Sequence, residues 1–194
     1  MMTIRSRLDI VQSLRSSKLD NFTKAETTAF HGRKVVEGIA FACLIATENG
    51  IGHVPRDAKG QWNAESIINS LRSKKLTVFP SPGIIRPPTT EERNQYNVTA
   101  VVEGIPDRRL TEDQLIDIYQ RLHKWLHEIN PYKQMDHSKY VNAHSEALWD
   151  DMSRLEAFIE RHAITIGGEG FFCVLRDNQD GQTKVGSISK TSDL

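Results

Sequence analysis

Arg121, His123 and His127 fall within one amphipathic run, QLIDIYQRLHKWLHEINP. An imidazole, with an ordinary pKa near 6.5, can give or take a proton at neutral pH. An arginine beside it can hold a phosphate or a developing negative charge. His123 and His127 also have the i, i+4 spacing at which two imidazoles can share a metal ion. On a helix turning about 100° per residue, the two histidines lie about 40° apart on one flank of the apolar stripe. Arg121 lies about 120° from His127, on the other flank. The two meet only if the helix end unwinds or a second subunit contributes. No CxxC or HExxH glutamate accompanies the pair, so no metal and no cofactor is expected. The plain alternative is two histidines at the border of a core.

A second polar group sits in FHGRKVVEGIAF. Glu37 lies between Val35-Val36 and Ile39-Ala40, where a carboxylate is expensive to bury unless paired. Arg33, four residues earlier, faces the same side of a helix. Two readings follow. The pair is a salt bridge steadying the core, or Arg33 and Glu37 line a pocket with His127, in which the arginine meets a phosphate.

The elements that must position these residues follow from periodicity. Residues 4–17 predict a first helix, with Ile4, Leu8, Ile10, Val11 and Leu14 apolar. Thr23 to Asn49 is free of proline and carries VVEGIAFACLIA, apolar almost all round, as in a central helix; Asn49-Gly50 supplies its stop. Asn63 caps a helix to about Lys75. The stretch LTVFPSPGIIRPPTT, with Pro80, Pro82, Pro87 and Pro88, excludes helix and disfavours a central strand. Short strands are expected at 76–79 and 98–102. Thr111-Glu-Asp-Gln114 is a capping box opening a helix that Asn130-Pro131 ends. A last helix is expected over about 138–162. The tail then reads as two strands joined at Asn178-Gln-Asp-Gly181. The expectation is one domain, 1–194: a mainly α helical bundle (about 4–75 and 111–163) with a small β addition. That addition comprises a β-containing insertion at 76–110 and a C-terminal β-hairpin at 164–190, joined in one sheet because an isolated hairpin is marginal in water.

Lys plus Arg and Asp plus Glu are each 25, a formal net charge of zero, which argues against tight non-specific binding to long nucleic acid. Cys43 and Cys173 each stand in an apolar stretch without a CxxC partner and read as reduced thiols. The N-terminal run has no apolar signal core, and the longest apolar run is far short of the roughly 20 residues that span a bilayer. A cytoplasmic protein with no membrane association is expected.

Two segments together, Phe30-His-Gly-Arg33-Lys34-x2-Glu37-x-Ile39-Ala40-Phe41 and Leu126-His127-x2-Asn130-Pro131-Tyr132, resemble HEPN-like domains of bacterial mobile elements and defence systems. The resemblance implies a helical bundle and an Arg-x4–6-His motif that, in many members, forms a metal-independent RNase site across a dimer. Arg121 to His127 fits that motif, with Leu122 where such domains commonly carry a polar residue after the arginine. It makes Arg121 and His127 the catalytic candidates, with Arg33, Glu37, His123 and Asn130 as accessory or binding residues. The expected activity is that of a homodimeric ribonuclease of toxin or phage-defence type acting on RNA. A second reading is a non-catalytic binding and dimerisation module that regulates a nucleic acid or a protein encoded nearby. A third is a small-molecule sensor using an Arg33/Glu37 pocket with the β additions as its lid.

Overall fold

The apolar run around VVEGIAFACLIA lies in the middle of the longest helix, α2 (Asn21–Ile51), and four other helices are arranged about it. The computed structural model describes residues 1–51, 54, 56–76, 78–127 and 137–189. Helix α1 (Met2–Arg15) buries Ile4, Leu8, Val11 and Leu14 against α2, while Ile10 points outward. A short α3 (Arg56–Lys59) leads to α4 (Ala64–Ser73), whose N-cap Asn63 accepts a hydrogen bond from the Ser66 amide at 3.2 Å. Helix α6 (Glu112–Lys124) and α7 (His137–Ile159) complete the packing, and Val35, Val36, Ile39 and Ala40 are fully enclosed. Between α4 and α6 come β1 (Ser81–Arg86), α5 (Thr90–Tyr96), β2 (Val101–Gly104) and a 3-10 turn at Pro106–Arg108. After α7 come β3 (Arg161–Ile166), β4 (Glu169–Val174) and β5 (Lys184–Ser189). Among the described residues no helix is long and apolar enough to cross a membrane.

The expected mainly helical bundle with a minor hairpin is overturned. Among the described residues helices hold 59% and a five-stranded antiparallel sheet 16%, so the fold is mixed α/β. The strand order is β2-β1-β3-β4-β5. The decisive strand is β3. It follows directly from α7, pairs with β1 on one side and β4 on the other, and so joins the proline-rich stretch to the C-terminal strands. The expected hairpin starting at residue 164 is therefore three strands starting at Arg161. Gly167-Gly168, both at positive φ (60° and 93°), makes the tight β3–β4 turn, as two-residue hairpin loops require. Asn178–Gly181 falls between β4 and β5.

Other boundaries shift for identifiable reasons. The proline-rich run holds a strand after all, at 81–86; of the strand expected at 76–79, Leu76, Val78 and Phe79 are in none and Thr77 lies outside the described residues. The neighbours of β1 share it out: β3 pairs with Ser81 and Pro82, and β2 with Gly83 to Arg86. Pro82, which has no amide hydrogen to donate, still accepts through its carbonyl from the Ile105 amide at 2.9 Å. Asn49-Gly50 does not stop α2, which runs on to Ile51. Gly50 instead lies against β3, where a Cβ would come within 2.2 Å of Ile166 Cδ1. The strand expected at 98–102 begins at Val101, and α7 ends at Ile159, which places His162 in a strand.

Candidate functional site

Glycine at position 32 brings the polar residues of α2 to α6. A Cβ at Gly32 would stand 2.4 Å from Met152 Sδ and 3.1 Å from Leu122 Cδ1, so the α2 backbone lies close against both α6 and α7 there. The next residue, Arg33, then reaches the flank of α6 that carries Tyr119 and His123. Its Nε donates to Glu37 Oε1 at 3.1 Å and to the Tyr119 hydroxyl at 3.2 Å. Its other arm, NH1, lies 2.9 Å from His123 Nδ1. The guanidinium carbon sits 5.2 Å from the centre of the Tyr119 ring, within cation–π range. Glu37 is only 7% exposed and is neutralised from both sides, by Arg33 and by Lys34 Nζ at 2.6 Å. Two cations around one carboxylate leave a net positive charge at the mouth of the cluster.

Helix α6 opens with the expected capping box: the Gln114 amide donates to Thr111 Oγ1 at 3.1 Å, and the Thr111 amide to Gln114 Oε1 at 2.9 Å. It ends at Lys124 rather than continuing to residue 129. The Trp125 and Leu126 amides bond back three residues, to Leu122 and His123, and tighten the last turn. His127, beyond the helix, stays beside His123, with 3.0 Å between the two Nε2 atoms and ring centres 4.4 Å apart. His127 is exposed and His123 half-buried. The result is a continuous series from solvent inward: His127, His123, Arg33, Glu37.

Protonation follows from this geometry. A guanidinium only donates, so Nδ1 of His123 must present its lone pair to Arg33. Neutral His123 therefore carries its proton on Nε2 and donates it to Nε2 of His127, which in turn keeps its own proton on Nδ1. Burial, then the charge of Arg33, then His127 hold the His123 pKa below its ordinary value. Among the described residues no group of three His, Cys, Asp or Glu side chains is placed to hold a metal ion.

Arg121 goes elsewhere. Its Nε and NH2 bind Asp151 of α7 at 2.8 and 2.7 Å, a two-pronged ion pair whose carboxylate is 3% exposed. The hydrogen bond that Arg121 donates to Asp151 leads the causes that raise the Arg121 pKa. Arg121 and His127 are thus not brought together within one chain. Arg33, on another helix, takes the position beside the imidazoles. Asn130, with Pro131 and Tyr132, lies outside the described residues. Sequence reasoning passed over Lys34 and Tyr119, although a signal existed for each: Lys34 stands three residues before Glu37, and Tyr119 four before His123. In comparisons with known proteins, no family, curated protein or solved structure matched the chain.

Proposed function

We propose that the Arg33–His123–His127 cluster binds RNA through a backbone phosphate and cleaves it without a metal ion. The observation that carries this reading is the unbroken contact from exposed His127 through His123 to the Arg33 guanidinium. Once exposed His127 turns its Nε2 lone pair away from the His123 Nε2–H and toward substrate, that nitrogen is the group able to take the proton of a ribose 2′-hydroxyl. As the O2′–P bond forms and the P–O5′ bond breaks, charge on the phosphorane oxygens falls to Arg33 and Lys34. The departing O5′ takes a proton from water and His127 returns its own to solvent, leaving a 2′,3′-cyclic phosphate and a 5′-hydroxyl. Glu37 and Tyr119 hold the guanidinium in place and do not touch substrate. The resemblance of residues 30–41 and 126–132 to HEPN-like domains favours the same class of chemistry, although its Arg-x4–6-His motif gives the cation's role to Arg121 and this reading gives it to Arg33. An RNA substrate calls for a cytoplasmic location. A homodimer would set two such clusters on one assembly, but acid–base chemistry here needs only one protomer.

Purified protein incubated with labelled single-stranded RNA in EDTA tests the reading. Cleavage to cyclic phosphate ends is expected, lost by at least 100-fold in His127→Ala and Arg33→Ala. Arg121→Ala should retain the activity of its folded fraction while losing about 1–3 kcal/mol of stability, because it strands the buried Asp151 carboxylate, whose arginine partner is itself part-exposed. Intact RNA, or a His127→Ala variant as active as the parent, overturns the proposal. The second reading, a non-catalytic module for RNA or a protein encoded nearby, is favoured by one fact: Glu37 already neutralises part of the cationic charge that a phosphate would need. RNA bound but uncut would select it.

A further inference from the structure

A second feature lies away from the imidazoles. The C-terminal half of α2 and the sheet face formed by β3, β4 and β5 enclose a cleft of about 980 Å3, at the upper end of the range for small-molecule sites. Alternation along the strands builds its floor. His162 stands opposite Cys173, Ile164 opposite Phe171, and Cys173 opposite Val185, so these side chains share one face. Ala42, Ile45 and Ala46 of α2 also line the cleft, and Gly50 approaches Ile166 at one end. Ile45, Phe171 and Val185 are each more than half exposed, at 59%, 58% and 59%. Three large apolar side chains uncovered around one concavity differ from the scattered exposed apolar residues of ordinary surfaces.

Glu169, Ser187 and Ser189 of the same strands also line the cleft but are exposed, and the buried polar residue of its floor is His162. His162 is fully buried, and its Nδ1 lies 2.8 Å from the Ile159 carbonyl, which can only accept. Nδ1 therefore carries the proton, and Nε2 presents a lone pair. That atom is enclosed and has no hydrogen-bond partner among the described residues. Burial pushes the imidazole pKa down to about 4, so it is neutral at physiological pH, and a lone pair is what it offers. A buried acceptor left open costs free energy until a donor reaches it. Met1, half-buried, also lines the cleft, and its unbranched thioether chain is of the adaptable kind that fits itself to a neighbour.

We propose that this cleft binds an apolar small molecule carrying a hydroxyl group, with its hydrocarbon body against Ile45, Phe171 and Val185 and its O–H donated to His162 Nε2. The test compares decan-1-ol with decyl methyl ether, which has the same kind of chain and no donor, by calorimetric titration of the full protein. The alcohol is expected to bind at least 10-fold more tightly than the ether. His162→Phe should bind both alike. Ala46→Trp, which fills the cleft from the helix side, should bind neither while its circular dichroism is unchanged. The Ala46→Trp comparison stands even if His162→Phe fails to fold. Equal affinity for alcohol and ether in the parent protein, no binding of either by folded protein, or alcohol binding undiminished in Ala46→Trp each overturns the proposal. So does sedimentation as a dimer that Ala46→Trp converts to monomer, since that assigns the cleft to a second copy of the chain.

Discussion

Arg33 does three things with one side chain: it neutralises buried Glu37, packs over Tyr119 and sets which nitrogen of His123 carries the proton. The last effect is measurable without any substrate. Burial and the Arg33 charge both disfavour the imidazolium form of His123. Replacing Arg33 with methionine keeps an unbranched chain over Tyr119 and removes the charge, so the His123 pKa should rise toward its ordinary value near 6.5. An NMR titration of the His123 ring protons in Arg33→Met against the parent checks this. An unmoved or lowered pKa would mean that the 2.9 Å contact does not govern the proton. The same residue shows what sequence could reveal about the site. The i, i+4 relations Arg33–Glu37 and His123–His127 are local and legible on a helical wheel. The contact between Arg33 and His123 depends on how two helices cross, and no spacing along one chain encodes it. Only the HEPN-like motif pairs Arg121 with His127, against the helical wheel, and in the structure Asp151 of α7, thirty residues away, binds Arg121.

Helices were legible where they bury an apolar stripe, and a cap alone did not reveal one. Helix α6 announces itself twice, through Leu115, Ile118, Tyr119 and Leu122 on its inner face and through its capping box. Helix α5 has a capping box of its own, Thr89 with Glu92, but buries no residue, so no periodicity accompanies it. Strand β1 was hidden by its prolines, because its tolerance of Pro82 depends on pairing with two different neighbours along its length. Glycine is ambiguous in the same way: Gly50 looks like a helix stop and Gly32 like a defect, yet both mark close approaches. Gly32 gives the element-scale prediction. Gly32→Leu drives a branched side chain into Met152 and Leu122, and overpacking of this kind costs about 1–3 kcal/mol. It also lifts α2 from α6 and so parts Arg33 from His123. Urea unfolding should show the lost stability, and the His123 pKa should rise as in Arg33→Met. A variant as stable as the parent would show that the crossing is not tight at this point.

At the scale of the whole molecule, β3 ties the helices to the sheet, and His162 is its most enclosed polar side chain. Its burial makes the entire fold sensitive to mild acid. The folded-state pKa is about 4, against about 6.5 in an unfolded chain. Below pH 6.5 the unfolded chain therefore binds a proton that the folded protein refuses, and the contribution is lost as pH falls toward 4. Carboxylates do not dominate this window, since their unfolded values lie near 4. His31, depressed by burial and by Arg7, and His123 act in the same direction. Between pH 7 and pH 5 the His162 share of the loss is roughly 2 kcal/mol, a sizeable part of the stability of a domain. Urea unfolding at the two pH values should show a drop of at least that size in the parent. His162→Gln, which fills a similar shape without titrating, should show a drop smaller by that share. A parent equally stable at both pH values would mean that the His162 imidazole reaches water in the folded protein and titrates normally. The Nε2 lone pair would then be satisfied by solvent, and the floor of the α2–sheet cleft would be wet rather than waiting for a donor.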